Sequence, residues 1–304
     1  MDTKNLFSNL FLFLFVISFF VGCSNEPKQN ADQQYLKLIS EWDSSRVESL
    51  KSKTGWLNLA GLLWLKEGEN KFGSGTANDI IFPAGKADEF IGSFYLADSI
   101  VTAKINEGVE VYSNGELIKE IVMSPDISGN QTELTHKNLN WFVIVRDDKI
   151  GIRLRDYDSE TVKNFTGIDR FPVDTTWRIS AKFVSFDPPK KITVPNIIGQ
   201  ASEYDVKGEI VFTKDGKEYS LTPIPSGENY FIIFADQTSG VETYGAGRFL
   251  YADHEDTDGN IVLDFNTAYN PPCAFSKYAT CPLPPKENQL KLAVTAGEKN
   301  WGHH

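Results

Sequence analysis

The side chains best suited to chemistry lie in the last quarter of the 304-residue chain, where residues 244–298 read YGAGRFLYADHEDTDGNIVLDFNTAYNPPCAFSKYATCPLPPKENQLKLAVTAGE. Tyr244 opens this stretch. Gly245 and Gly247 let the backbone approach a ligand closely, and Arg248 beside them is a fixed cation shaped to grip a carboxylate or phosphate. A β-bulge with Arg248 in an internal ion pair accounts for the same residues. Asp264 is the expected partner, because GRFLYAD and NIVLDF flank Asp258-Gly259 as a hairpin that would carry Asp264 back past Arg248. Asn266 and Asn270 follow, and Pro271 and Pro272 stiffen the segment that carries them. Their amides can bond a ligand or the loop's own backbone. Asp236, Thr238, Glu242 and Glu298 are further polar candidates. An enzyme built from this set would use Arg248 as anion clamp and Asp264 or Glu298 as acid or base.

Cys273 and Cys281 admit four readings: a disulfide, two buried thiols, metal ligands or a nucleophile. The alternation of proline and cysteine favours a structural tie. The acidic run DHEDTDGN imitates part of a calcium loop at Asp256, Asp258 and Gly259. His254 would fill its first position and Phe265 its twelfth, so the bidentate acid is missing and a hairpin tip is the simpler reading. The chain has no serine elbow, HExxH, phosphate loop or zinc-ribbon spacing. No cofactor and no metal are expected.

The elements that must position these residues are mostly short strands. Tight polar turns at Asn114-Gly115, Asp147-Asp148, Asp215-Gly216 and Asp258-Gly259, each between apolar-rich arms, predict four hairpins. WLNLAGLLWL, from Trp56, reads as a buried strand or a turn and strand. Before it, Tyr35, Leu38, Ile39, Trp42, Val47 and Leu50 mark one face of a helix over residues 33–51 that docks on the following domain. Pro188, Pro189 and Pro195 in FDPPKKITVPNIIG argue against a continuous central strand, and place the internal boundary there, unless ITVPNI is an edge strand joining the halves. The fold class is mainly β: an antiparallel β-sandwich-like N-terminal unit, a second antiparallel β unit and one amphipathic helix.

The linked run DFNTAYNPPCAFSKYATCPLPPKENQLKLAVTAGE, with GWLNLAGLLWLKEG earlier, resembles a family classed as a domain of unknown function, number 1684, from about Trp42 to Glu298. That resemblance implies a bacterial origin and one integrated unit, and supplies no reaction. In the first half, GENKFGSGTANDIIFP, IGSFYL and VEVYSNGELI resemble the ordering of a forkhead-associated β-sandwich. Asn114-Gly115 matches that pattern. Ser74 follows Gly73 where the phosphate-reading arginine belongs, and there is no Ser-x-x-His, so phosphothreonine recognition does not carry over.

The start of the chain reads as an address. Lys4 and the apolar run over residues 10–21 suit a signal peptide and are too short to span a bilayer. Gly22-Cys23 resembles the bacterial lipoprotein processing site, with Phe20 where that motif usually has leucine. Residues 1–22 are thus expected as leader, Cys23 as the lipidated residue and 23–34 as a polar tether. A helix plus sandwich-like unit over 35–187 and a C-terminal unit over 188–304 should follow. The expected location is the cell envelope, facing the periplasm or exterior, with the outer membrane favoured. A net charge of −11 argues against nucleic acid as a partner, since a phosphate backbone would be repelled. The functional expectation is a lipid-anchored protein whose C-terminal unit binds a small polar or anionic ligand, or a protein partner. The alternatives are the enzyme above or a purely structural envelope protein.

Overall fold

In the computed structural model, which describes residues 26–302, a long helix and two antiparallel β units pack into one body. The expected leader, the expected lipidation site Cys23 and residues 24–25 lie outside the described residues. Helix α1 (Glu26–Lys51) begins earlier than its apolar stripe and takes in most of the stretch expected as a tether. A 3-10 turn over Trp56–Asn58 then enters β1 (Leu59–Trp64), so WLNLAGLLWL is a turn and strand.

The first unit continues with β2 (Gly68–Gly73), β3 (Ile80–Ile81), β4 (Gly92–Ala97), β5 (Ile100–Ile105) and β6 (Tyr112–Ser113). It ends with β7 (Glu116–Leu117), β8 (Glu120–Met123), β9 (Leu134–His136), β10 (Leu139–Arg146) and β11 (Lys149–Asp156). Two sheets result, of order β1-β11-β10-β9-β6-β7 and β3-β2-β4-β5-β8. All pairings are antiparallel except β2 with β3. Phe72, Phe82, Phe94 and Trp141 fill the space between them, with Phe72 stacked on Phe94 at 4.0 Å. Side chains alternate across a strand, so Ile152 and Leu154 of β11 enter this core while Arg153 and Arg155 point out of it. Those arginines are buried nonetheless: Arg153 reaches Thr280 of the second unit, and Arg155 lies over Phe142 and reaches Glu133 and Asn140.

After a short helix α2 (Glu160–Asn164) come β12 (Arg178–Pro195), β13 (Ala201–Lys214), β14 (Lys217–Leu221) and β15 (Ile224–Ser226). The last three strands are β16 (Asn229–Phe234), β17 (Arg248–Asp253) and β18 (Asn260–Asp264). They form a sheet of order β14-β13-β12-β18 and a sheet of order β15-β16-β17. Trp177, Phe212, Phe234, Leu250, Leu263 and Phe265 pack in their common core. Residues 265–302 form an irregular arm, with three 3-10 turns, that laces the unit together.

β12 runs straight through the junction expected near residue 187. It tolerates its prolines because β18 pairs with it only over Arg178 to Lys182, and its register with β13 breaks between Ser185 and Lys190. Pro188 and Pro189 sit in that break, where no ladder bond is lost. Three of the four expected hairpins form, at Asn114-Gly115, Asp147-Asp148 and Asp215-Gly216. The fourth does not. Asp258-Gly259 turns the chain, but β17 pairs with β16 and β18 pairs with β12, so the two arms part into different sheets. The free edge of β17 is taken instead by Tyr269, whose N–H and carbonyl bond those of Phe249 at 2.9 and 2.8 Å.

Candidate functional site

Arg248 begins β17 and is 0% exposed. Its partner is Asp236, at 2.8 Å from Nη2, and not Asp264, because β17 and β18 diverge. The same guanidinium donates to three carbonyls of the C-terminal arm: Val294 at 2.9 Å, Ala296 at 2.5 Å and Glu298 at 3.3 Å. Asp236 in turn accepts from the N–H and hydroxyl of Thr238, at 2.7 and 2.6 Å. Burial pulls the Arg248 pKa down while the Asp236 charge opposes that shift. Gly247, at φ +85°, is needed for packing: a Cβ there would come within 2.5 Å of the Phe234 carbonyl. The glycine-arginine run therefore staples the arm to the sheet. Tyr244 is half-buried against the aromatic cluster of Trp56 and Phe275, and burial raises its pKa.

The remaining candidates line up beneath α1. The helix packs on the distant arm and not on the sandwich that follows it in sequence. Tyr35, Ile39, Trp42, Arg46 and Leu50 recur at helical spacing, and their contacts run along this face. Tyr35 donates its hydroxyl to both oxygens of Asp264, at 2.7 and 2.8 Å. Trp42 lies 6.3 Å from the Tyr269 ring. Arg46 stacks 4.7 Å over Tyr269, donates to the Asn270 carbonyl at 2.8 Å and meets Glu298 at 3.1 Å. Asp43 pairs with Arg170 at 3.0 Å, and Arg170 stacks on Trp42.

Two of the polar residues under this helix tie neighbouring backbone in place, and Asn266 also donates to the Tyr35 hydroxyl at 2.9 Å. Asn266 donates to the Asp174 carbonyl at 2.9 Å and accepts its N–H at 3.1 Å. Asn270 gives its N–H to Glu298 at 2.6 Å and its amide to the Lys299 carbonyl at 2.7 Å. Glu298 is 0% exposed, and burial raises its pKa against the opposing pull of Arg46. Its neighbour Gly297 is held at φ +78°, where a Cβ would lie 2.4 Å from the Ala268 carbonyl.

Asp264 differs from these because it borders open space. It shares a cleft of about 460 Å³ with Gln34, Tyr35, Leu38, Trp42, Arg178 and Thr267. Arg178 stands directly across from it in the strand register, 3.7 Å away and 53% exposed, while the Asp264 side chain is 19% exposed. The cleft thus has one acid, one cation and a phenol at its polar edge, and an indole and leucine on its apolar side. Tyr35, Trp42 and Arg178 escape a reading of the C-terminal stretch alone. The signal for Tyr35 and Trp42 was an arginine, Arg46, standing in register with their apolar stripe, whereas Arg178 meets Asp264 only through the register of β12 with β18.

Elsewhere, Cys273 and Cys281 form a disulfide that closes a short loop. Asp256 at the acidic tip accepts the N–H groups of Asp258 and Asn260 at 2.9 and 2.8 Å, as a turn-forming side chain does. In the first sandwich, the Ser74 hydroxyl donates to the Ala87 carbonyl at 2.7 Å, and Asn114 forms the tip between β6 and β7.

A family described as protein of unknown function (DUF1684) matches residues 163–299. The solution NMR structure of an uncharacterised protein from Haloarcula marismortui is 32% identical, over 46% of this chain and 80% of that one, with a TM-score of 0.39. This chain belongs to the DUF1684 family. The match begins at residue 163, not near Trp42 as the earlier motif suggested, so α1 and the first sandwich lie outside it. Arg170, Arg178, Asp236, Arg248, Asp264 and Glu298 all lie in the DUF1684 segment. No curated protein matches the chain.

Proposed function

We propose that this is a lipid-anchored envelope protein that binds a small polyhydroxylated ligand in the cleft between α1 and β18. The observation that carries this reading is the meeting of Asp264, Arg178 and the Tyr35 hydroxyl with the Trp42 ring around one open cleft. A carboxylate and a guanidinium side by side can bond neighbouring hydroxyls from both directions, and an indole accepts the apolar face of a sugar ring. Placement in the envelope is supported by the apolar leader with Gly22-Cys23 and by the disulfide between Cys273 and Cys281, a bond that suits an oxidising compartment. Outer-membrane attachment through a lipid on Cys23 is part of the proposal. Arg248 and Glu298 are both closed to solvent, so an enzyme that uses them as clamp and acid is the reading least supported.

Saturation-transfer NMR with a panel of neutral monosaccharides and amino sugars tests the cleft. Wild type should transfer magnetisation to at least one ligand, and Asp264→Asn and Trp42→Ala should weaken that transfer at least tenfold. Transfer of equal strength in all three proteins, or none from wild type, would refute the site and leave the structural role. Independently, Cys23→Ser should remove labelled fatty acid from the protein and release it from the membrane fraction. A variant that stays labelled would refute the anchor.

A further inference from the structure

We propose that the seam between the two β units binds a small oxyanion, phosphate in its simplest form, between Arg146 and Arg153 beside the Thr280 hydroxyl. Three arginines stand on the outer face of the first sandwich, and two of them, Arg146 and Arg153, reach Thr280 of the second unit. Arg146 pairs with Asp126 at 2.7 Å, and Arg155 reaches Glu133 at 3.4 Å. Arg153, between them on β11, is 4% exposed, and among the described residues it makes no ion pair. Its Nε has no acceptor, and its Nη2 has only the Thr280 hydroxyl, at 3.5 Å. The Trp56 ring, 5.7 Å away, is its remaining contact of note. Burial and the neighbouring Arg146 pull its pKa down to about 10, still well above neutrality, so the charge persists. This face of the first sandwich therefore holds three guanidinium groups against two paired carboxylates.

Both acids are already engaged, and neither forms an ion pair with Arg153. Asp126 already accepts from Arg146 and from the Val145 N–H at 3.1 Å. Glu133 accepts from Gln131 at 2.6 Å and Asn140 at 3.0 Å as well as from Arg155. A buried cation with one weak neutral acceptor is costly unless an anion meets it, and the guanidinium fork is built for oxygen anions. The Thr280 hydroxyl marks where such an oxygen would sit, because it accepts from Arg146 Nε at 3.3 Å as well as from Arg153. Thr280 immediately precedes Cys281, so the disulfide fixes the residue that carries the hydroxyl across the seam. Access is from the Arg146 side, where that side chain is 26% exposed. This site is separate from the Asp264 cleft and does not depend on it.

The test is thermal unfolding and calorimetric titration of the full chain in detergent, with inorganic phosphate against chloride at equal ionic strength and pH. Wild type should show saturable stabilisation by phosphate. Arg153→Met, which replaces an unpaired buried cation with an apolar group, should bind phosphate at least tenfold more weakly. Thr280→Asp places a carboxylate between the two guanidinium groups. It should raise the melting temperature in chloride and lose the phosphate response. Equal melting of wild type in phosphate and chloride would overturn the proposal, as would a phosphate affinity in Arg153→Met within twofold of wild type. Should Arg153→Met fail to fold, Thr280→Asp decides: a retained phosphate response overturns the proposal.

Discussion

Replacing Arg248 with methionine should unfold the arm and not merely empty a binding site. The side chain makes a buried pair with Asp236 and donates to three carbonyls, those of residues 294, 296 and 298. Methionine fills most of the volume but leaves the Asp236 carboxylate buried beside acceptors that have lost their donor. Breaking one side of a buried pair costs about 3–5 kcal/mol. With a urea dependence of roughly 2 kcal/mol per molar, the midpoint should fall by about 2 M. Asp236→Asn removes the countercharge from the same network and should cost a similar amount. The double variant should cost less than the sum of the two, with a coupling of about 2 kcal/mol or more, because the second change removes the group the first left stranded. Urea unfolding followed by tryptophan fluorescence measures all four proteins. A midpoint shift below about 0.5 M in Arg248→Met, with ligand binding abolished, would refute the staple and restore Arg248 as a clamp.

Two further outcomes follow from the same geometry. Glu298 has a folded pKa raised above its ordinary 4.5 by burial, so its protonated form favours the fold. Its contribution is fully present below about pH 4.5 and is lost as pH rises through the folded value. Stability relative to Glu298→Gln should therefore decline with rising pH in that window, and a difference that is flat in pH, read from denaturation midpoints, would contradict it. Replacing Cys273 and Cys281 together with alanine opens a loop whose ends are 8 residues apart and should cost about 2–3 kcal/mol by calorimetry. An unchanged transition would show that the tie is unnecessary.

Local turn chemistry made much of the fold legible. Asn114-Gly115 and Asp215-Gly216 adopt the positive φ values that tight hairpins require, at +51° and +83° and at +51° and +74°. Asp258-Gly259 carries the same signal, yet its strands separate. A turn fixes where the chain reverses and not which neighbour each arm then takes, and β12 and β16 outcompeted the local partner. The prolines near residue 188 were sound evidence against pairing on both sides but said nothing about a one-sided strand. The site was legible in part. Asp264 was visible from its place after an Asp-Gly turn, whereas its contact with Tyr35 spans 229 residues and has no local trace. Arg248 was singled out correctly as unusual, but a sequence carries no measure of the burial that makes it a staple.

The central claim is that the cleft beside Asp264 holds a small polar ligand, and native mass spectrometry of protein extracted from its own membranes tests it most directly. Wild type should carry a small molecule of discrete mass beyond its lipid, and Asp264→Asn prepared in the same way should not. Wild type without such an adduct, or the same adduct on both proteins, would contradict the account.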